Sequence, residues 1–338
     1  MYGLSLSSTN RKRSKFKKVE VFQHTAVQML VLAVAVLCGF FARKKRLMDD
    51  KFDTMLSQLV LNITLPAMIL NSVLSSSSLP SIHDIVLTLL YTTLFFALSV
   101  PFSLLVGKII YRKVPKVTRG AHQFMMVFGN TGFIGYVVVA AVLNNDAVLY
   151  AAIYNIVFNI ILFSVGVMLI AGDSDSNDDR RGWRKQLTAI KHTLIKPTVI
   201  FSFVAAVLAV LGIDAPNSPV QQACDLIGGM TVPAAMLVVG SSIAKMPLHD
   251  MFNDGWSYLT TLIRLIIIPL LTLVIFGQFV HDSFILAILV LLAGMPVASN
   301  GAMLSLAYSG DSKTIARGTF LSTAFSIFTL PLIALLVA

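Results

Sequence analysis

The stretch FGNTGFIGYVVVAAVL, Phe128 to Leu143, decides how the chain is read. It is apolar enough for a membrane interior, yet Asn130, Thr131, Gly132 and Gly135 interrupt it, where an unbroken spanning helix carries Leu and Val. Composition agrees with a membrane: 56% of the 338 residues are hydrophobic and 12% charged, a balance outside ordinary soluble usage. The net charge of +10 does not indicate nucleic acid, because the Lys and Arg lie almost wholly between apolar runs, as in loops facing the headgroups of membrane lipids. Cys38 and Cys224 have no metal or redox spacing around them, so no disulfide framework, metal centre or cofactor is expected.

A hydrocarbon core of about 30 Å takes about 20 helical residues. That ruler gives ten spans, at approximately 24–42, 54–74, 85–110, 121–143, 147–171, 195–213, 219–243, 257–280, 283–308 and 315–337. The expected fold is an all-α polytopic membrane protein. The long polar segment from Gly172 to Lys196 divides it into a basic tail (1–23), a first five-helix repeat (24–171), a cytoplasmic linker (172–194) and a second repeat (195–338). The linker's second half mixes Trp183, Leu187, Ile190 and Leu194 with Arg184, Lys185 and Lys191, which fits either an interfacial helix or a solvated connection. Loops after the odd spans carry Lys and Arg, whereas those after spans 2, 4, 6 and 8 carry none, so the odd loops are expected to be cytoplasmic and both termini non-cytoplasmic. The tail RKRSKFKK, Arg11 to Lys18, runs against that orientation.

Internal similarity explains why five spans should be followed by five more. LNITLPAMIL (Leu61 to Leu70) resembles GGMTVPAAML (Gly228 to Leu237), placing Pro66 and Pro233 167 positions apart; Pro101 and Pro269 are 168 apart, and Asn130 and Asn300 170 apart. Because five is odd, a second copy enters the membrane from the opposite face, giving an inverted repeat. In such repeats interrupted helices build a midplane site. Gly132 and Gly135 in span 4, and MPVASNGAM (Met295 to Met303) with Pro296 and Gly301 in span 9, are expected to unwind their helices, leaving half-helix N-termini that favour an anion. The substrate-binding candidates are Asn130, Thr131, Gly132, Gly135, Pro296, Ser299, Asn300 and Gly301, with the two asparagines as neutral amide donors to a small organic anion. Packing glycines and an interhelical Asn hydrogen bond are the competing reading.

The runs GFFARKKRLMDDKFDTMLSQLVLNITLPAMIL (Gly39 to Leu70), GNTGFIG (Gly129 to Gly135), RLIIIPLL (Arg264 to Leu271) and STAFSIFTLPL (Ser322 to Leu332) resemble the auxin efflux carrier family, especially its bacterial members. The resemblance covers the chain from about Thr25 onward. It implies ten helices in two inverted repeats, with spans 1, 2, 6 and 7 as a scaffold that forms a homodimer and spans 3 to 5 and 8 to 10 as a moving transport domain. It also implies crossing broken helices 4 and 9, and elevator-type export or exchange of organic anions: indole acetate in plants, dicarboxylates such as malate or malonate in bacteria. Family members often have Pro where this chain has Val137, so the span-4 break is expected to rest on Gly132 and Gly135 alone. No loop of plant length separates the halves, so the plant hormone is not the expected substrate.

Further polar residues have two readings each. Arg264 can neutralise an anion in transit or snorkel to an interface; Asp225 can sit at an interface or couple protons; Asn155 and Asn159 share one helical face, lining a path or packing. Asp311, Lys313 and Arg317 form a charge cluster where span 9 meets span 10. An intramembrane enzyme is not expected, since Glu20 is the only glutamate and the six His lie mainly near span ends. A sodium-coupled symporter of the bile-acid type remains the nearest alternative, followed by a channel or receptor.

Overall fold

Apolar runs of this length satisfy their backbone hydrogen bonds within the segment, and helices follow. The computed structural model describes residues 27, 30–76, 79–171, 195–245, 254–299 and 301–337; these form helices with no strand, joined at one place by an isolated antiparallel bridge. The basic tail, the linker 172–194 and Asn300 lie outside the described residues.

The helices fall on the apolar runs read from the sequence. They are α1 (30–44), α2 (Asp50–Leu74), α3 (Ile82–Ile109), α4 (Lys116–Val127), α5 (Thr131–Val142), α6 (Asp146–Ala171), α7 (Pro197–Val210), α8 (Pro219–Lys245), α9 (Gly255–Phe276), α10 (Ser283–Ala293), α11 (Gly301–Ala307) and α12 (Ser312–Val337). Among the described residues six of them, α2, α3, α6, α8, α9 and α12, are long and apolar enough to cross a membrane. Starts are set by local chemistry. Ser81 and Asp84 form a reciprocal capping box at α3, the Asp282 carboxylate accepts the Phe284 and Ile285 amides at α10, and Pro197 and Pro219 open α7 and α8 where no amide is needed.

Two sets of helices pack internally. In one, α2 lies on α7 and α8. Gly39 and Gly240 let α1 approach α8 so closely that a Cβ at either would overlap the opposing backbone. In the other, α3 packs on α4 and α6, while α9, α10 and α11 pack on α12. The sets meet where α6 touches α2 and α7 and where α8 touches α5 and α12. Leu, Ile, Val and Phe are exposed along α1, α3, α7 and α9, the pattern of helices whose outer faces meet lipid. Deeply buried stretches run around the two interruptions, from Phe124 to Val139 and from Leu289 to Ala298, and along α6 from Ala147 to Asn155.

Ion pairs tie helix ends together. Asp50 accepts from Arg43 at 2.6 Å and from Lys245 at 2.8 Å, and Arg317 meets Asp254 at 3.3 Å. At other ends, Asn71 donates to Asp225 at 2.9 Å and the Ala215 amide to the Leu74 carbonyl at 3.2 Å.

Candidate crossing site

α4 stops at Val127 because Phe128 turns to extended backbone (φ −103°, ψ 107°) and Asn130 leaves the helical region (φ −78°, ψ 59°). The interruption therefore precedes Gly132 and Gly135, which lie instead in the wide π-helical turn Thr131–Gly135 that opens α5. This corrects the expectation that those two glycines unwind the span. Gly135 is needed for contact, since a Cβ there would meet Leu292 Cδ2 at 2.9 Å, whereas at Gly132 the nearest atom is Asn155 Oδ1 at 3.6 Å.

The second interruption follows α10. Gly129 pairs with Val297 in the antiparallel bridge: the Asn130 amide donates to the Pro296 carbonyl at 2.6 Å and the Ala298 amide to the Phe128 carbonyl at 3.0 Å. The broken segments thus satisfy each other's backbone in a buried place where water cannot. Asn130 Nδ2 donates to Ser299 Oγ at 2.7 Å, and Ser322 of α12 accepts the Val297 amide at 3.0 Å. Gly301 opens α11 against Phe124, whose ring lies 2.5 Å from where a Cβ would stand.

Arg264 holds the arrangement. It sits in a π-helical turn of α9, Ile263–Ile267, and is almost wholly buried. Nε donates to the Met295 carbonyl at 2.9 Å, and Nη1 donates to Met126 and Val127 carbonyls at 3.0 and 3.1 Å. These carbonyls belong to the C-terminal ends of α4 and of the α10 segment, where helices leave acceptors unpaired and carry partial negative charge. Among the described residues no carboxylate lies within ion-pair distance of this guanidinium. Gly129 is glycine because Nη2 occupies the place of a Cβ. Arg264 therefore does not snorkel; it is a cation facing two helix ends.

Thr131 Oγ1 donates to Asn155 Oδ1 at 2.8 Å, and Asn155 Nδ2 returns to the Thr131 carbonyl at 3.2 Å and to Ala151 at 2.8 Å. Asn155 is thus part of the crossing's support. Asn159 donates to the Asn155 carbonyl at 2.7 Å, a bond within its own helix. Asp225 lies at the α2–α8 contact with Asn71, which also accepts from Gln221 Nε2 at 2.9 Å. It is not brought to the crossing. A cavity of about 80 Å³ between α3 and α9, lined by Phe95, Ser99, Thr272 and Phe276, does not include Asn130.

What the crossing offers chemically is donors. The first turn of α5 leaves the amides that follow Thr131, whose own amide donates to the Gly129 carbonyl at 2.9 Å, without acceptors in a preceding turn, and Asn130 Nδ2, one of whose hydrogens goes to Ser299, stands beside them. Gly129, Ser322 and the reach of Arg264 to two helix ends were not singled out by sequence reasoning, although each of the three residues lies in a run quoted for the family resemblance.

The profile of the Membrane transport protein family matches residues 24–334. The chain is 22% identical over 311 residues to an uncharacterized transporter of Methanocaldococcus jannaschii, covering 90% of this chain and 96% of that one. It is 23% identical over 309 residues to the uncharacterized transporter YfdV of Escherichia coli K12, covering 90% and 95%. Family and relatives are transporters, not enzymes. From a match over nearly its whole length and from its long apolar helices, the chain belongs to the auxin efflux carrier-like family of membrane transport proteins, as a multi-pass membrane protein.

Proposed function

We propose that the protein is a secondary carrier that binds small organic anions, carboxylates in particular, where its two interrupted helices cross, and moves them by an elevator-type displacement. The observation carrying this reading is the antiparallel bridge between Gly129 and Val297, with a guanidinium that meets no described carboxylate behind it and half-helix N-termini in front. The negative ends of α4 and α10 are occupied by Arg264, which leaves the positive ends and the second hydrogen of Asn130 Nδ2 for substrate.

An inverted repeat of ten helices is supported by contacts between equivalent residues. Thr231 Oγ1 donates to Thr64 Oγ1 at 2.9 Å, and this pair has the same 167-residue offset as Pro66 and Pro233. Gly129 and Val297 are 168 apart, the offset of Pro101 and Pro269. An antiparallel bridge has a local two-fold axis, as two copies entering from opposite faces require.

The scaffold is α1, α2, α7 and α8, and the mobile part comprises α3 to α6 and α9 to α12, a division supported by the two packing sets. A homodimer through the scaffold and cytoplasmic odd loops complete the reading. Its test is a thermal-shift screen of the purified protein against mono- and dicarboxylates: a ligand that binds only the folded state raises melting temperature by mass action. No shift with any carboxylate, or a shift that needs sodium, turns the assignment away from this reading.

A further inference from the structure

His122 lies on α4, fully buried, in a part of the molecule the crossing does not use. Its Nδ1 is 2.7 Å from Thr260 Oγ1, and the Tyr111 hydroxyl is 2.7 Å from the same oxygen. The Trp256 carbonyl lies 3.0 Å from the Thr260 hydroxyl and 3.4 Å from the Tyr111 hydroxyl; with the shorter contact taking the Thr260 hydrogen, the Thr260 oxygen accepts from Tyr111 and from a hydrogen on Nδ1. That assignment leaves the lone pair on Nε2, which is buried without a hydrogen-bond partner among the described residues. Tyr111 stacks on the imidazole with centroids 4.6 Å apart, and Trp256 stands 5.2 Å from Tyr111.

Charged groups face the ring from three neighbouring elements. Asp254 faces the ring from the start of α9 and is paired with Arg317 of α12. Asp311 faces it from the turn before α12, held by Thr118 Oγ1 at 2.8 Å, the Thr314 amide at 3.0 Å and Thr314 Oγ1 at 2.8 Å, with no described cation within ion-pair distance. Lys116 and Arg119 lie on α4 itself, toward its loop end, and Tyr111 follows α3. Arg264 stands one turn deeper on α9 than Thr260, as Met126 does beyond His122 on α4, so the His122–Thr260 contact is the rung next to the Met126–Arg264 contact. A proton on His122 adds a second positive charge about 6 Å along the helix axes from the guanidinium. An anion at the crossing offsets that repulsion.

We propose that His122 is a proton-binding site and that its occupation is linked to occupation of the crossing by an anion, which makes the carrier proton-coupled. The linkage rests on the crossing being the anion site; the proton site itself does not. Linkage is reciprocal, so anion binding favours protonation as much as protonation favours the anion.

Trp256 reports on the cluster once Trp183 is replaced by Phe in the full-length purified protein. Its fluorescence, followed from about pH 8 downward to the onset of acid unfolding, is expected to show a one-proton transition. His122→Asn, whose amide stands in for Nδ1 toward Thr260, and His122→Gln as a second variant should both abolish it while melting normally at the alkaline end. Malonate should move the transition to higher pH, and its affinity should rise by up to about tenfold per pH unit across the transition, with no such rise in His122→Asn. A featureless titration, or the same transition in both His122 variants, overturns the proton site. A transition that bound malonate leaves in place overturns the linkage. An intact transition with neither malonate nor malate bound at any pH supports the proton site and overturns the carboxylate reading of the crossing.

Discussion

Arg264 acts through its shape as well as its charge. A planar fork with several donors reaches carbonyls from two different helix ends, and a lysine ammonium has neither the reach nor the plane to do so. Arg264→Met leaves three buried carbonyls unpaired and should lower stability by about 3–5 kcal/mol, read as a fall in melting temperature. Arg264→Lys should recover the preference for anions over neutral analogues and only part of that stability. Equal behaviour of the two variants in both measurements would remove the charge from the argument. Gly129→Ala drives a methyl into the guanidinium and should cost stability comparable to Arg264→Met, whereas Gly132→Ala, whose methyl would make only an ordinary contact with Asn155, should melt within about 1 kcal/mol of wild type. The sequence could not assign Arg264, because a basic residue in an apolar run looks the same whether it snorkels or caps helices from the far side of a fold. Its carbonyl partners carry no sequence signal, since every residue has a carbonyl.

At the scale of elements, hydropathy and the polar interruptions made the helical runs and both breaks legible. The location of the first break was not: Gly132 and Gly135 drew attention as glycines, but the chain bends at Phe128 to Asn130, where backbone pairing with Pro296 and Ala298 replaces the lost helical bonds. That pairing depends on a segment more than 160 residues away, beyond any local pattern. Helix starts also carry a pH dependence. Asp254, before α9, is raised by burial but pulled lower overall by the Ser257 hydroxyl and Arg317; Asp311, before α12, is likewise raised by burial and pulled below its ordinary value by Thr314 and Thr118. A carboxyl lowered on folding adds stability above its unfolded value of 3.8, and that stability is lost as pH falls through the folded value. Melting temperature should therefore drop more steeply below about pH 4 in wild type than in Asp254→Asn, which has already lost the contribution; parallel curves would show that the cap is not the acid-labile element.

For the whole molecule, the account joins two packing sets, a Thr64–Thr231 contact between equivalent positions and loops sorted by charge. Side follows from the charge: a cysteine at His83, exposed in the first turn of α3, should react with an impermeant thiol reagent on intact cells, while one at Leu47, exposed between α1 and α2, should not. The opposite pattern would invert the orientation. The scaffold assignment predicts a dimer in detergent, checked by mass; a monomer under all conditions would contradict it. The most direct measurement is carboxylate affinity and ligand-free melting temperature taken together on wild type, Asn130→Ala and Asn300→Ala. The account predicts that malate or malonate binds wild type, that each substitution weakens binding by about 1–3 kcal/mol, and that ligand-free melting changes little. Unchanged affinity with lowered melting would make the asparagines helix staples and contradict an anion site at the crossing.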